Sequence, residues 1–136
     1  MDLRTQLIRD EAERLKPYKD SVGKLTIGVG RNLDDAGISH EEAMMLLDND
    51  IKSHTWQLLQ ALPWVEFIDE VRQAALINLT FNMGIKTLLT FVNTLTYLRN
   101  KKYKEAAEAL LQSRYAQQVG DRAKRLAKQI ELGVWQ

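Results

Sequence analysis

The chain has no cysteine, which excludes a disulfide framework and a thiolate metal site and leaves nothing that commits the fold to an oxidising compartment. Proline is nearly absent: Pro17 and Pro63 are the only two, so each is a strong stop signal for a helix. No apolar stretch comes near the roughly 18 residues of a membrane-spanning helix. Met1-Asp2-Leu3-Arg4-Thr5-Gln6 is charged within its first residues, so the chain is expected to be a cytosolic product. A large net charge is absent too, at +1 overall, but residues 1–70 carry 14 acids and 8 bases, whereas residues 71–136 carry 4 and 11. A basic C-terminal half can attract an anionic polymer, nucleic acid or cell wall, and it can equally be a set of solvated helix faces.

What is present suffices for a core. At 136 residues and 45% hydrophobic content the chain suits one domain, or one compact unit with two lobes. Leu3, Leu7, Ile8, Ala12 and Leu15 recur at helical spacing and Pro17 cannot continue the pattern, which predicts an amphipathic helix over 3–16. From Tyr18 to Gly30, β-formers interleave with Gly23, Gly28 and Gly30, as in a tight hairpin, and a β lobe is expected over about 17–38. Asn32 to Gly37 reads as a polar loop, and Ser39-His40-Glu41-Glu42 has the form of a capping box. A long helix over about 39–62 should follow and connect the lobes. The rest, about 63–136, reads as a helical lobe: Val71 to Met83 ended by Gly84, a segment around Phe91, Leu95 and Leu98, another over Lys104 to Leu111, and a last from about Gly120 to Leu132 ended by Gly133. The fold class is α+β, mostly α-helical, with one small sheet.

Glu11 and Asp20 are nine residues apart across the Pro17 corner, so two carboxylates can face one cleft. Glycoside hydrolysis needs such a pair: one acid protonates the leaving oxygen while the other activates water or stabilises the cationic sugar. On spacing alone, acids at such positions are also ordinary surface residues, and Thr26 is an ordinary strand residue. Thr26-Ile27-Gly28-Val29-Gly30-Arg31 lacks the third glycine and the following helix of a phosphate-binding loop, which excludes nucleotide binding on that motif. His40 and His54 have no ligand-spaced neighbours, so no metal is expected. Asp121-Arg122-Ala123-Lys124-Arg125 is basic, but no helix-turn-helix or aromatic platform accompanies it, and no nucleic-acid partner is expected.

Taken together, Asp10-Glu11, Tyr18-Lys19-Asp20 and Gly23-Lys24-Leu25-Thr26-Ile27-Gly28-Val29-Gly30 resemble the N-terminal signature of T-even-phage-type lysozymes and related phage endolysins, glycoside hydrolase family 24. The likeness continues through Ala75-Leu76-Ile77-Asn78, Phe81-Asn82-Met83-Gly84 and Phe91 to Leu95. It ends with Ser113-Arg114-Tyr115, Arg122 to Arg125 and Gly133-Val134-Trp135, so nearly the whole chain is covered. The resemblance implies a lysozyme-like fold in which the long helix joins a small β-hairpin lobe to a helical lobe. It implies an N-acetylmuramidase for host cell lysis, with Glu11 as general acid and with Asp20 and Thr26 holding the attacking water, so that the anomeric centre inverts. Inverting carboxylates stand roughly 6.5–9.5 Å apart, which leaves room for that water. Arg122 is expected beside Glu11, Arg125 beside Asp10, and Phe81, Asn82 and Tyr115 against substrate. A guanidinium beside Glu11 favours its charged form, while a closed sugar-filled cleft favours the neutral form that acts.

Two departures matter. Arg31 stands where relatives commonly have histidine, and it is expected to pair with Asp50 in a structural role. The chain is also shorter than the T-even enzyme between Arg31 and Asp50, which implies a reduced sheet lobe and fewer sugar contacts. The expected partner is the peptidoglycan glycan strand, with no cofactor, no stable membrane association and a monomeric state. The expected location is the host bacterial cytoplasm, with release to the wall by a holin-type protein. A lytic transglycosylase would need neither Asp20 nor Thr26, and a non-catalytic wall-binding module would normally have lost an acid.

Overall fold

The computed structural model describes residues 1–136. It begins with helix α1 (Leu3–Glu11), then strands β1 (Arg14–Lys19), β2 (Leu25–Gly28) and β3 (Arg31–Asn32), and the long helix α2 (His40–Ala61). A 3₁₀ turn at Pro63–Phe67 leads into α3 (Glu70–Met83), α4 (Ile85–Leu88), α5 (Val92–Arg99), α6 (Tyr103–Leu111), α7 (Arg114–Val119) and α8 (Asp121–Leu132). The chain is therefore mostly helical with one small antiparallel sheet, the α+β class expected. It divides into two compact units, Met1–Leu46 and Leu47–Gln136, the division falling within α2. No helix is long and apolar enough to cross a membrane.

In the first unit the sheet order is β1-β2-β3, with β1 on an edge. The helix expected over 3–16 stops at Glu11, because Ala12 takes φ 64° and ψ 154° while its N–H still donates to the Ile8 carbonyl. Continuation to Lys16 is unfavourable in any case, since the residue before proline is pushed out of the α region. Pro17 instead lies inside β1, where a strand interior normally rejects it. The pairing explains the exception. Arg14 faces Gly28 and Tyr18 faces Thr26, with the register broken between them, so the missing proline N–H falls in an irregular stretch of an edge strand. Thr26 is the unit's one buried residue, and Leu3, Leu7, Ile8 and Leu15 remain exposed.

The capping box forms at the start of α2: Ser39 N–H donates to Glu42 Oε1 at 2.9 Å, and Glu42 N–H donates to Ser39 Oγ at 3.1 Å.

The second unit carries the hydrophobic core. Leu58 and Val65 pack with Leu76 and Leu79 of α3, Leu88 of α4, Leu95 and Leu98 of α5, Leu110 of α6, and Leu126 and Ile130 of α8. Each fully buried leucine contributes about 2 kcal/mol. Two buried polar side chains find backbone acceptors: Gln129 Nε2 donates across to the Val71 carbonyl at 2.8 Å, and Thr80 Oγ1 donates back along α3 to Leu76 at 2.8 Å. Gly84 and Gly133 end α3 and α8 as the sequence indicates. Two short helices, α4 and α7, arise in stretches without a clear helical period.

Candidate active site

The first unit contains Asp10, Glu11, Asp20, Thr26 and Arg31, and the second contains Asp50, Phe81, Asn82, Tyr115, Arg122 and Arg125. Glu11 is the last residue of α1 and is exposed, with no hydrogen bond or ion pair to its carboxylate within its unit. Its neighbour Ala12 occupies a backbone region that is essentially reserved for glycine and costs about 1–3 kcal/mol for other residues. That strain sits directly behind the candidate acid. A cavity of about 710 Å³ is lined by Arg4, Leu7, Ile8, Glu11, Glu13, Val29 and Gly30. Arg4, Glu13 and Gly30 were not foreseen as site residues. Their signal was positional only, Arg4 one helical turn before Ile8 and Gly30 in a turn far from Glu11 in sequence.

Asp20 follows β1 in the tight turn to β2. Its Oδ1 accepts from the N–H groups of Val22 at 3.0 Å and Lys24 at 2.8 Å, and its own N–H donates to the Lys24 carbonyl at 2.9 Å. This is an Asx turn, in which the side chain does the work of a turn carbonyl, and Gly23 supplies the φ of 85° that the turn needs. Oδ2 of Asp20 carries no hydrogen bond. Thr26 pairs with Tyr18, and alternation along the two strands puts Thr26 on the same sheet face as Asp20, as its diagonal neighbour. The Thr26 hydroxyl donates to the Lys24 carbonyl at 2.9 Å, so towards any further group it acts as an acceptor. At 3% exposure it is otherwise covered.

The loop after β3 is sewn onto this hairpin. Asp34 Oδ2 accepts from Leu25 N–H at 2.8 Å, and Asp35 is bound by Lys24 Nζ at 3.2 Å and by Asn32 Nδ2 at 2.9 Å.

Arg31 has a different partner from the one expected at Asp50. Its Nη1 donates to Glu42 Oε1 at 2.7 Å and to the Gly37 carbonyl at 3.1 Å. Glu42 is closer along the folded loop and already anchored by Ser39, so the capping box presents a fixed carboxylate to the guanidinium. Asp50 is exposed on α2. The Arg31 hydrogen bond, followed by the Ser39 N–H, holds the Glu42 carboxyl well below its ordinary value, to about 2. Because this value is depressed relative to the unfolded chain, the pair stabilises the fold above about pH 4.5 and the contribution is lost as pH falls from there towards 2. In urea unfolding, Glu42→Gln should therefore be less stable than the parent at pH 6, with the difference shrinking at pH 2.5. A gap of equal size at both pH values would show that the ion pair contributes nothing.

Asp10, expected beside Arg125, is held by its neighbour Arg9, with Nε to Oδ1 at 2.9 Å and both side chains more than half exposed. A pair so exposed contributes little. In the second unit Arg125 is exposed on α8. Arg122, expected beside Glu11, directs Nε and Nη2 to Oδ1 of Asn78 at 3.1 and 2.7 Å. Asn78 is a partner that sequence reasoning did not assign. Phe81 and Arg122 share a largely apolar cavity of about 420 Å³ with Leu47, Ile77 and Trp135, and Phe81 is tilted against the His54 ring at 5.2 Å.

Tyr115 lines a different cavity of about 560 Å³ with Phe91 and Thr94, and meets the Phe91 ring edge-on at 6.4 Å. Burial pushes its phenol above the ordinary value, partly offset by the charge of Arg122, and its hydroxyl has no partner. Asn82 is exposed on α3 and lines neither cavity, so the three expected substrate contacts do not share one pocket.

The chain is similar to known proteins. A family model described as phage lysozyme matches residues 9–129. "Probable T4-type lysozyme 1" of Dictyostelium discoideum is 29% identical, over 96% of this chain and 94% of that protein. The endolysin of Salmonella phage P22 is 34% identical, over 79% of this chain and 77% of its own length. The pre-baseplate central spike protein Gp5 of Enterobacteria phage T4 is 28% identical over 98% of this chain, which corresponds to 28% of that much longer protein. The alignment with the Dictyostelium protein runs over 161 positions, more than the 136 residues present here, so that relative has residues this chain does without.

Proposed function

The chain belongs to the phage lysozyme family, a lysozyme-type peptidoglycan hydrolase, and we propose that it cleaves the β-1,4 bond between N-acetylmuramic acid and N-acetylglucosamine with inversion. The observation that carries this reading is the contrast between two carboxylates of one small unit. Within that unit Glu11 is unpartnered at a cavity wall, and Asp20 has one oxygen tied to two backbone amides and the other free. An acid of the first kind can give up a proton to a leaving oxygen, and one of the second kind is fixed in orientation and can accept one.

In the proposed step Glu11 protonates the glycosidic oxygen as the bond to the anomeric carbon breaks. A water molecule donates one hydrogen to Asp20 Oδ2 and the other to Thr26 Oγ1, whose own proton is committed to Lys24. Its lone pair then points at the anomeric carbon, and Asp20 takes up the proton as the new bond forms. In this reading the enzyme serves host lysis as a monomer, held in the bacterial cytoplasm until a holin-type protein opens the membrane.

Digestion of purified peptidoglycan in ¹⁸O-labelled water tests the reading. Labelled reducing ends on N-acetylmuramic acid, appearing first as the α-anomer, are the expected products. Anhydro ends would mean a transglycosylase, β-anomers a retaining enzyme, reducing N-acetylglucosamine the other bond, and intact strands a binding module.

A further inference from the structure

Glu11 ends a helix at an exposed rim and has no polar partner in its unit, so a long flexible side chain has little to hold it in one rotamer. What lies against it is backbone. A Cβ built on Gly30 would stand 3.0 Å from Glu11 Oε2, 3.2 Å from Cδ and 3.3 Å from Cγ. Three atoms of the carboxylate end of the side chain therefore occupy the space that a side chain at Gly30 would fill, in the turn between β2 and β3.

The turn itself does not account for this. Gly30 has φ +72°, which any residue tolerant of the left-handed region could take. Gly23, Gly28 and Gly37 have comparable φ values and nothing within 4 Å of an added Cβ. Gly28 is the sharpest comparison, with φ +69° and only two residues away. At Gly28 the missing side chain answers to conformation alone, whereas at Gly30 the space it leaves is occupied by Glu11.

We propose that Gly30 is a positioning residue for Glu11, its bare α-carbon forming the seat that fixes the carboxyl at the cavity wall. The proposal rests on Glu11 being the general acid. A proton donor must lie within hydrogen-bond reach of the leaving oxygen, and a displacement of about 1 Å can cost on the order of 100-fold in rate. A Cβ at position 30 needs a shift of a few tenths of an ångström or a change of rotamer. Binding of the sugar chain elsewhere along the site is left alone.

The test is the split between kcat and KM on solubilised glycan strands for the parent, Gly30→Ala, Gly30→Asn and Gly28→Ala, with thermal unfolding of each. Asparagine tolerates positive φ best among residues with a Cβ, so Gly30→Asn keeps the comparison usable if Gly30→Ala folds poorly. The expected result is that both position-30 variants lose about 10-fold or more in kcat with KM little changed, while Gly28→Ala melts lower but keeps the parental kcat. A folded Gly30→Asn with parental kcat, or an equal loss in Gly28→Ala, overturns the proposal. Full activity of Glu11→Gln in the same series overturns the reading beneath it instead.

Discussion

Glu11→Gln is expected to lower the hydrolysis rate about a thousandfold, within the 10²–10⁴ range of general-acid catalysis, and to leave thermal stability unchanged. The side chain is exposed and unpartnered in its unit, so the amide loses no hydrogen bond that folding depends on. Asp20 needs a pair of variants, because it has two duties on two oxygens. Asp20→Asn keeps a carbonyl oxygen for the Val22 and Lys24 amides and so keeps the turn, but it removes the oxygen that would take the water's proton. Asp20→Ala removes both. The expected result is a rate loss of about 100-fold or more for each. Alanine alone should also cost about 1.5–3 kcal/mol of stability, the worth of a hydrogen bond to a charged group. Near-parental turnover by Asp20→Asn would show that Asp20 is a turn residue and that another group handles the water.

Local rules made most of the architecture readable, and their failures share a cause. The capping box at Ser39 and Glu42 and the glycine stops at Gly84 and Gly133 are short-range patterns whose chemistry is written in the residues concerned. The end of α1 is the instructive failure. Ala12, at φ 64° and ψ 154°, and Gly84, at φ 85° and ψ 155°, have nearly the same conformation, each ending a helix. Glycine announces that conformation, whereas alanine, the best helix former, conceals it. The helical period therefore runs on in sequence to residue 16, although the helix ends at Glu11 and Pro17 lies in β1.

The site shows the same division. Glu11, Asp20 and Thr26 could be singled out because the segments that hold them, all within Asp10 to Gly30, together resemble a known family. The Asx turn at Asp20 was foreseeable in kind, since a short acid before Val22-Gly23 can bond its own turn. Which acid takes Arg31 was not foreseeable. Glu42 and Asp50 are both acids downstream on α2, and the choice depends on how the loop from Leu33 to Ile38 folds back. Asn78 under Arg122, 44 residues away, and Gly30 under Glu11 are contacts that no periodicity encodes.

Arg72→Ala should be the most destabilising of the polar substitutions in the helical unit, at about 3 kcal/mol. The last carbonyls of a helix have no partners inside it. In α8 the Gln129 carbonyl is taken by Gly133 N–H at 2.8 Å, and the next two fall to one guanidinium, with Arg72 Nε on Ile130 O at 2.5 Å and Nη2 on Glu131 O at 2.9 Å. The same group stands 3.5 Å from the Tyr103 ring centroid and bonds Asp69, the N-cap of α3, at 3.1 Å. One side chain thus joins the start of α3, the start of α6 and the end of α8, with its positive charge at the negative end of a helix. Hydrogen bonds from a charged group are worth about 1.5–3 kcal/mol and a cation over an aromatic face about 0.5–2. Water reaching the freed carbonyls recovers part of that sum. Arg72→Lys cannot reproduce the fork and should recover less than half of the loss. Gly133→Ala attacks the same joint from the other side, since its Cβ would come within 2.7 Å of Arg72 Nη1 at a φ of +65°. Urea unfolding of the three variants decides the matter. A loss below about 1 kcal/mol for Arg72→Ala, the scale of an ordinary surface pair, would mean that solvent caps α8 as well as the guanidinium does.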